Sequence, residues 1–529
     1  MVRRDGGSLR VGTRDRGRGP GRGGGLRVLG RGPDRCQGRR FPPSAQVRDS
    51  RGYDPDARGA PRRGDPRPLG LGQTEPGAPG RPASRGSRRP LRPDRPRRGR
   101  LSARFGNRSH PEPIHAGRPL TLFRRWAGDP VLVGLALALS LFGIAMIYSA
   151  GVLNVPSPVV TGAWRRQLVW LALSLAAFTF VSRIRGRWIE WAALPSYLAA
   201  VVLLAAVLVI GTGAGPAESV GRWIQVGPIR FQPSEFAKIA AVLGIAWFLS
   251  SRESPPAGVR DLVAPSAIVG VLLGLVVLQP DLGTALAFVG ILFAVLFWSG
   301  TPLLHLFFLA SPGLALILAF NTIVWSVYFV ALVLAVYLFR YRLYLIESAG
   351  VVLANLAAGT IALPVWSSLA EYQRNRLLVF LDPGMDPRGA GWNLIQSKVA
   401  IGSGGLTGKG FTQGTQKRLD FLPEQHTDFI FSVIGEELGF VGAFIAIALF
   451  AALLYRLVLM AEKVSDPFAG LVLFGIFGAW LVHVFINVGM TVGIVPITGI
   501  PLPFVSYGGT FLLTCWVMTG LAVRMAQED

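Results

Sequence analysis

The sequence has almost no cysteine and lacks the common signatures of soluble enzymes. Cys36 and Cys515 are the only cysteines among 529 residues, which excludes a disulfide framework and a cysteine-based metal site. There is no Walker loop, so nucleotide hydrolysis is unsupported. The five His include no His-x-x-x-His pair that would indicate zinc. No Lys follows a Ser by three residues, which excludes a Ser-x-x-Lys acyl-enzyme nucleophile.

Charge is scarce overall and unevenly distributed. Only 16% of the residues are charged, yet the formal net charge is +24. Much of the excess lies in residues 1–125, which are rich in Arg, Gly, Pro and Ser, so we predict a disordered cytoplasmic tail. The tail has no apolar core of a signal peptide. Without interleaved aromatics we expect a solvated tail, or a stretch upstream of the true start, and no nucleic-acid partner.

Long apolar runs fill residues 126–529. Each is about the 20 residues that cross a bilayer as a helix, so we predict an all-α polytopic membrane protein, a bundle of about 10 to 12 transmembrane helices. The predicted spans are Pro130–Ala150, Gln167–Ser182, Trp191–Gly211, Ser234–Ser250, Val263–Leu278, Leu282–Ser299, Leu303–Phe320, Ile323–Phe339, Ala349–Trp366, Phe429–Tyr455, Leu471–Met490 and Ser506–Val523. Lys and Arg at alternate span ends put both termini in the cytoplasm, with Arg165 and Arg166 at an outer end as the exception. A large loop, about 367–427, then lies outside the membrane.

Acidic residues stand at the start of one predicted span, in "FLPEQHTDFIFSVIGEELG". Asp428 either caps the helix by accepting backbone N–H bonds or acts as a general base with a raised pKa. At helical spacing Asp428, Ser432 and Glu436 share one face, and such a polar face points to a cavity or to the bundle interior.

A second group of polar residues precedes and begins the fourth span. Glu235 and Lys238 are three residues apart and can form an ion pair, which either fixes packing or lines a site. Arg222 lies outside the same span, and Trp223 beside it is an interface anchor or a site residue.

The large loop is basic and rich in glycine. Its cations include Arg388, Lys398, Lys409 and Lys417, which suit a lipid-linked phosphate, although a solvated basic loop near headgroups would look the same. "WNLIQSKVAIG" has apolar residues at helical spacing and could lie flat on the outer leaflet. Asp382 and Asp386 could hold a divalent ion, although their spacing fixes no coordination geometry.

Several long stretches resemble the SEDS (shape, elongation, division and sporulation) family. They are "GRWIQVGPIRFQPSEFAKI", "LQPDLGTAL", "DPRGAGWNLIQSKVAIGSGGLTGKGF", "FLPEQHTDFIFSVIGEELG" and "NVGMTVGIVPITGIPLPFVSYGGT", which occur in this order between Pro130 and Arg524. "GTQKRLDFLPEQHTDF" and "GIPLPFVSYGG" are more similar to the elongation branch, RodA, than to the division branch, FtsW.

The resemblance implies a peptidoglycan glycosyltransferase of the bacterial cytoplasmic membrane. It would polymerise lipid II into β-1,4 glycan strands at the outer face during cell elongation, by an inverting reaction. The family's essential Asp corresponds to Asp428. Substrate-binding positions would be Arg222, Trp223, Glu235, Lys238, Arg388, Lys398, Lys409, Lys417, His426, Thr427 and Glu436. No cofactor is certain, although Mg²⁺ or Mn²⁺ could assist.

The implied partners are a class B penicillin-binding protein transpeptidase and other membrane proteins of the elongation complex. Two features depart from the family: the Arg-rich tail, and about three spans between Leu303 and Trp366 where one is usual. The alternative function is a lipid II flippase. That function would place the essential charges near the midplane, often on broken helices in repeated halves.

Overall fold

The computed structural model is a helical bundle, as the sequence predicts. It describes residues 128–154, 160–212, 221–227, 229–339, 344–369, 371–389, 391–419 and 421–527. The predicted tail, 1–125, lies outside the described residues. In the described part, strand is confined to one short hairpin and two bridge residues.

Twelve helices match the predicted spans, most within a few residues. The α-helices are α1 Pro130–Ala150, α2 Ala163–Val181, α3 Gly186–Ile210, α4 Pro233–Ser250, α5 Val263–Leu278, α6 Leu282–Trp298, α7 Leu303–Leu318, α8 Thr322–Leu338, α9 Leu345–Ser368, α10 Glu371–Leu381, α11 Trp392–Ser403, α12 Thr415–Arg418, α13 Ile430–Ala461, α14 Pro467–Val492 and α15 Gly509–Met525. Among the described helices, seven are long and apolar enough to cross a membrane, namely α1, α3, α4, α5 with its preceding 3₁₀ turn, α9, α13 and α14. The helices α6, α7, α8 and α15 are apolar but shorter, and α2 completes the twelve.

Short acidic side chains begin several of these helices. Asp129 accepts hydrogen bonds from the backbone N–H of Val131 and Leu132, at 3.1 and 2.9 Å, and so caps α1. Asp281 and Asp466 cap α6 and α14 in the same way. A carboxylate suits these positions because it satisfies free N–H groups and the helix dipole.

Helices α1 and α13 run antiparallel, and their ends mark two layers of the bundle. Asp129, at the start of α1, forms an ion pair with Arg456 near the end of α13. Ser149, at the other end of α1, contacts Glu437 near the start of α13. We call the layer that contains Ser149 and the start of α13 the Asp428 end, and the other layer the opposite end.

The main core surrounds α14, which packs against α4, α6 and α13. A second, smaller cluster of Phe308, Leu332, Val336 and Val351 joins α7, α8 and α9. These are the three helices found where the resemblance implies one. They form a peripheral unit with its own core, and most of the apolar side chains of α8 are exposed.

A two-stranded hairpin covers the Asp428 end between α3 and α4. Strands β1 Ile224–Val226 and β2 Ile229–Phe231 are antiparallel, with Ile224 opposite Phe231. Gly227, between them, has φ +60, a conformation that glycine adopts readily. The hairpin positions Arg222 and Trp223, which immediately precede β1.

Candidate active site

Asp428 lies in a turn just before α13. The N–H groups of Asp428 and Phe429 donate to the carbonyl of Glu424, at 3.1 and 3.3 Å. The N-cap residue of α13 is Phe429, and no side chain makes a capping hydrogen bond there. The capping interpretation of Asp428 is therefore wrong. Because α13 begins at Ile430, Asp428 stands outside the helix rather than on its face.

The carboxyl of Asp428 is partly buried at this end of the bundle. Burial is the largest cause that raises its pKa, to about 7, and the negative charge of Glu424 adds to it. Arg376 and Thr427 act in the opposite direction, while Asp281 raises the pKa further. A carboxyl with this pKa can accept a proton near neutral pH and release it again.

Helix α14 and the segment after it hold the Asp428 turn by hydrogen bonds. The amide of Asn487, on α14, donates to the backbone carbonyls of Asp428 at 2.9 Å and of Ile500 at 2.7 Å. The hydroxyl of Ser506 donates to the carbonyl of Thr427 at 2.6 Å. Gly499 has φ +74, and a Cβ there would lie 3.2 Å from Asp428 Oδ2. The segment 499–506 is thus a wall of the carboxyl site.

The neighbours His426 and Thr427 face this wall. His426 is buried, its ring packs against Tyr507 with centroids 5.3 Å apart, and its Nδ1 has no hydrogen-bond partner. Burial lowers the pKa of His426, which favours a neutral ring. The Thr427 hydroxyl is within 3.1 Å of Glu424 Oε2. Both residues lie at the predicted site.

Arg222 is bound to the residues before α6. Its guanidinium donates to the carbonyls of Gln279, at 3.1 Å, and Pro280, and lies 3.9 Å from Asp281 Oδ1. Because Asp281 also acts on the pKa of Asp428, Arg222 belongs to the same neighbourhood. Trp223 is partly buried, and its backbone pairs with Thr212.

Glu235 and Lys238 form the predicted ion pair in the first turns of α4. Lys238 Nζ lies 2.9 Å from Glu235 Oε2, and both side chains are buried. Lys238 Nζ also lies 3.1 Å from His483 Nε2, on α14. The pair therefore joins α4 to α14 within the bundle.

The predicted amphipathic segment is helix α11, but it packs on protein. Leu394, Ser397 and Ala400 form its buried face, which lies against α13 and α14. The Ser397 hydroxyl donates to the carbonyl of Thr491 at 2.6 Å and lies 2.7 Å from the Ser432 hydroxyl. This differs from a helix lying flat on the outer leaflet, because its buried face packs on the bundle rather than on lipid.

The loop after α11 is hydrogen-bonded into a break in α13. Gly439 has φ 64 and ψ −160, so the helix is interrupted there. The N–H of Phe440 donates to Gly405 O at 2.9 Å, and the N–H of Gly410 donates to Glu437 O at 3.0 Å. A Cβ at Gly408 would lie 2.0 Å from Glu437 O. The backbone of the loop thus satisfies groups that the broken helix leaves free.

Glu436 and Glu437 bind this loop by their side chains as well. Glu436 Oε1 accepts from Lys409 Nζ at 2.8 Å and from the N–H of Thr415 at 2.8 Å. Glu437 forms an ion pair of 2.5 Å with Lys417, and both side chains are 0% exposed. Lys417 Nζ also donates to Ser149 O and Oγ, on α1. The two acids therefore brace the loop against α1 and α13.

These contacts bear on the predicted roles of the loop cations. Glu436 and Lys409 are bonded to each other, and Lys417 is fully buried, so a substrate would reach its charge only if the loop opened. Arg388 and Lys398 are exposed. Binding of substrate by these residues stays a prediction.

No cluster of three or more potential metal ligands occurs among the described residues. Asp382 and Asp386 are exposed, and each binds a backbone N–H of its own turn, that of Gly384 and that of Gly389, at 2.9 Å. This pair does not fit a metal site built by the protein alone.

Sequence reasoning missed three residues that position the site. Asn487 and His483 are polar residues within an apolar span, which was a signal that they face the protein interior. Ser149 gave no signal, because its partner Lys417 is 268 residues away in the chain.

The chain matches a protein family and several of its curated members. The family model described as cell cycle protein, FtsW/RodA/SpoVE, matches residues 130–529. Peptidoglycan glycosyltransferase MrdB of Escherichia coli K12 is 35% identical over 398 residues, covering 75% of this chain and 92% of MrdB. Peptidoglycan glycosyltransferase RodA of Treponema pallidum is 34% identical over 428 residues, which cover 75% of this chain and 97% of that RodA.

A solved structure is similar too. It concerns the coordination of polymerization and crosslinking by a peptidoglycan synthase complex, and one chain in it is 32% identical, with a TM-score of 0.56 and coverage of 75% of this chain and 97% of that one. With the helical bundle and the Asp428 site described above, these matches show that the chain belongs to the FtsW/RodA/SpoVE family.

Proposed function

We propose that this chain, a multi-pass membrane protein and a peptidoglycan glycosyltransferase, polymerises lipid II with Asp428 as its general base. One observation carries the proposal. Asp428 does not cap α13, and its partly buried carboxyl has a pKa of about 7 beside the 499–506 wall. A carboxyl of this kind is suited to take a proton from a sugar hydroxyl at physiological pH.

The reaction follows from that role. Asp428 accepts the proton of the GlcNAc 4-hydroxyl of one lipid II, and the oxygen attacks C1 of the MurNAc of another. The bond from C1 to the lipid pyrophosphate breaks, and the pyrophosphate leaves with the electron pair. A single displacement at an α-linked centre gives a β-1,4 bond, so one base suffices. Asp428 then releases the proton to water.

The departing pyrophosphate needs positive charge close by. Arg388 and Lys398 are exposed loop cations with side chains free of the Glu436–Glu437 brace, and they are the residues we assign to it. Because the described residues offer no protein cluster for Mg²⁺ or Mn²⁺, we derive no step through a metal. A divalent ion would bind the pyrophosphate itself, and a rate unchanged by EDTA would argue against even that role.

We place the Asp428 end outside the bacterial cytoplasmic membrane, with both termini in the cytoplasm. Arg183, Arg185, Arg252 and Arg456 lie at the opposite end, as the positive-inside rule requires of a cytoplasmic face. Reaction at the outer face suits a substrate whose donor and acceptor are both anchored in the membrane.

A class B penicillin-binding protein transpeptidase and other elongation-complex membrane proteins are the proposed partners. A glycosyltransferase without a Ser-x-x-Lys nucleophile makes uncrosslinked strands, so a second protein must crosslink them. The similar chain solved in a peptidoglycan synthase complex supports this pairing.

The break in α13 is the observation that favours the flippase alternative, since broken helices are common in transporters. In this protein, however, the loop backbone fills the break, and Asp428 lies at the bundle end rather than the middle.

Purified protein in detergent separates the two functions, because detergent leaves no leaflets between which to transport. We expect the wild-type chain to convert lipid II into glycan polymer, resolved by gel electrophoresis. A chain that makes no polymer there yet moves labelled lipid II across vesicle membranes would contradict the proposed function.

A further inference from the structure

We propose that His483 is a positioning residue: it links the buried Glu235–Lys238 pair to the wall segment that flanks Asp428. This inference rests on the proposed function and deepens it. It also gives Lys238 a role through His483 rather than through contact with substrate.

The polar face of α14 supports the Asp428 site at two points. His483 and Asn487 are four residues apart and therefore lie on one face of the helix, and they are 2% and 0% exposed. Asn487 holds the carbonyls of Asp428 and Ile500. His483 Nδ1 lies 3.0 Å from the carbonyl oxygen of Pro501. The two side chains thus fix consecutive peptide units of the wall.

The partners of His483 determine its tautomer. Lys238 Nζ lies 3.1 Å from Nε2. A charged ammonium can donate a hydrogen bond but cannot accept one, so Nε2 is the acceptor. A carbonyl is an acceptor only, so Nδ1 carries the hydrogen and donates to Pro501. A neutral imidazole with hydrogen on Nδ1 is the one form that satisfies both contacts.

Lys238 is enclosed by protein on every side that the structure describes. Its ammonium binds Glu235 and His483 and lies 5.0 Å from the ring centroid of Phe511. The Phe511 ring also stacks on the His483 ring, with centroids 5.0 Å apart. With an exposure of 2%, Lys238 does not offer its charge to a substrate.

The segment 499–506 connects His483 to the reacting carboxyl, because His483 binds Pro501 and Gly499 lies beside Asp428. Gly499 is two residues before Pro501, and its backbone is close enough to Asp428 that a Cβ would lie 3.2 Å from Oδ2. A shift of Pro501 therefore moves the surface that limits where the Asp428 carboxyl can lie. Misplacement of a reacting group by about 1 Å lowers rates by about 10²-fold.

The test is a double-mutant cycle on polymerisation by the purified full chain. We expect His483→Phe and Lys238→Met each to lower kcat by about 10- to 100-fold, with KM for lipid II within about twofold of wild type. The double variant should be no worse than the worse single variant, because both act along one path. His483→Gln, which keeps a donor and an acceptor, should recover most of the rate. Phe485→Leu, on the exposed face of α14, is the matched control and should retain full activity.

Two results would overturn the inference. One is full activity of His483→Phe. The other is a raised KM in Lys238→Met that persists in the His483→Phe background, which would mean that Lys238 contacts lipid II directly. If the wild-type chain itself makes no polymer, the proposed function fails instead.

A measurement on the unaltered protein covers variants that fail to fold. ¹⁵N NMR of labelled His483 should show hydrogen on Nδ1 and a hydrogen-bonded, unprotonated Nε2. A ring with hydrogen on Nε2 would remove the link to Lys238 and refute the inference.

Discussion

Lys417→Met should detach the outer loop from the bundle. The substitution removes the ammonium that binds Glu437 and Ser149, at distances of 2.5–2.6 Å, from a site where both charged side chains are 0% exposed. Glu437 would remain buried with only the N–H groups of Thr412 and Gly414 and the Ser149 hydroxyl as donors. Leaving one partner of a buried ion pair alone costs about 3–5 kcal/mol.

That free energy predicts a measurable opening of the loop. At 1.4 kcal/mol per tenfold change, 3–5 kcal/mol raises the open population by on the order of 10²–10³-fold or more. Amide hydrogen exchange at Thr412 and Gly414, which donate to Glu437, should accelerate correspondingly in the purified protein. Amides in the middle of α14 are the internal reference.

A second variant isolates the charge. Lys417→Met combined with Glu437→Gln leaves no buried charge and keeps an acceptor for the two amides, so exchange should return most of the way to wild type. Unchanged exchange in Lys417→Met, or a double variant as open as the single one, would refute the reasoning that this pair braces the loop.

Three further predictions concern the rate and the backbone. The polymerisation rate should rise with pH through a midpoint near 7, because Asp428 acts as a base only when ionised; a flat profile between pH 5.5 and 8.5 would contradict this. Gly408→Ala should abolish most activity, because φ is +80 and the Cβ would lie 2.0 Å from Glu437 O. Gly402→Ala is the control, because a Cβ there meets nothing within 4 Å, and it should leave activity and thermal stability near wild type. Equal effects of Gly408→Ala and Gly402→Ala would show that packing of the loop into the break in α13 is unimportant.

The positions of the helices were predictable because each apolar run is a local signal. The predicted span Val263–Leu278 has the bounds of α5, and Pro130–Ala150 those of α1. The sequence also indicated Asp428 as the candidate site, because Asp428 is a charge at the edge of an apolar run, where burial is costly unless it has a role. Its catalytic role stays a prediction.

The support of the site could not be predicted because it depends on contacts distant in the chain. The break at Gly439 depends on contacts with the loop after α11, which begins some thirty residues earlier in the chain. Glycine alone does not end a membrane helix, so the break had no local signal. The start of α13 at Ile430, rather than at Asp428, follows from hydrogen bonds of the turn to Glu424. That difference of two residues excludes Asp428 as the capping residue, and its role as a base stays a prediction.

The most direct test of the central claim is polymerisation of lipid II by purified Asp428→Asn. Removing this carboxyl also removes a destabilising contribution to folding. Because its pKa is about 7 in the folded protein rather than 3.8, ionising the carboxyl costs up to about 4 kcal/mol of folding free energy. Wild-type stability falls as pH rises through that raised pKa, so the variant should be more stable than wild type at pH 8 and no less stable at pH 4. The account predicts a folded, stabilised protein that makes no glycan polymer, and polymer formed at the wild-type rate by that variant would contradict it.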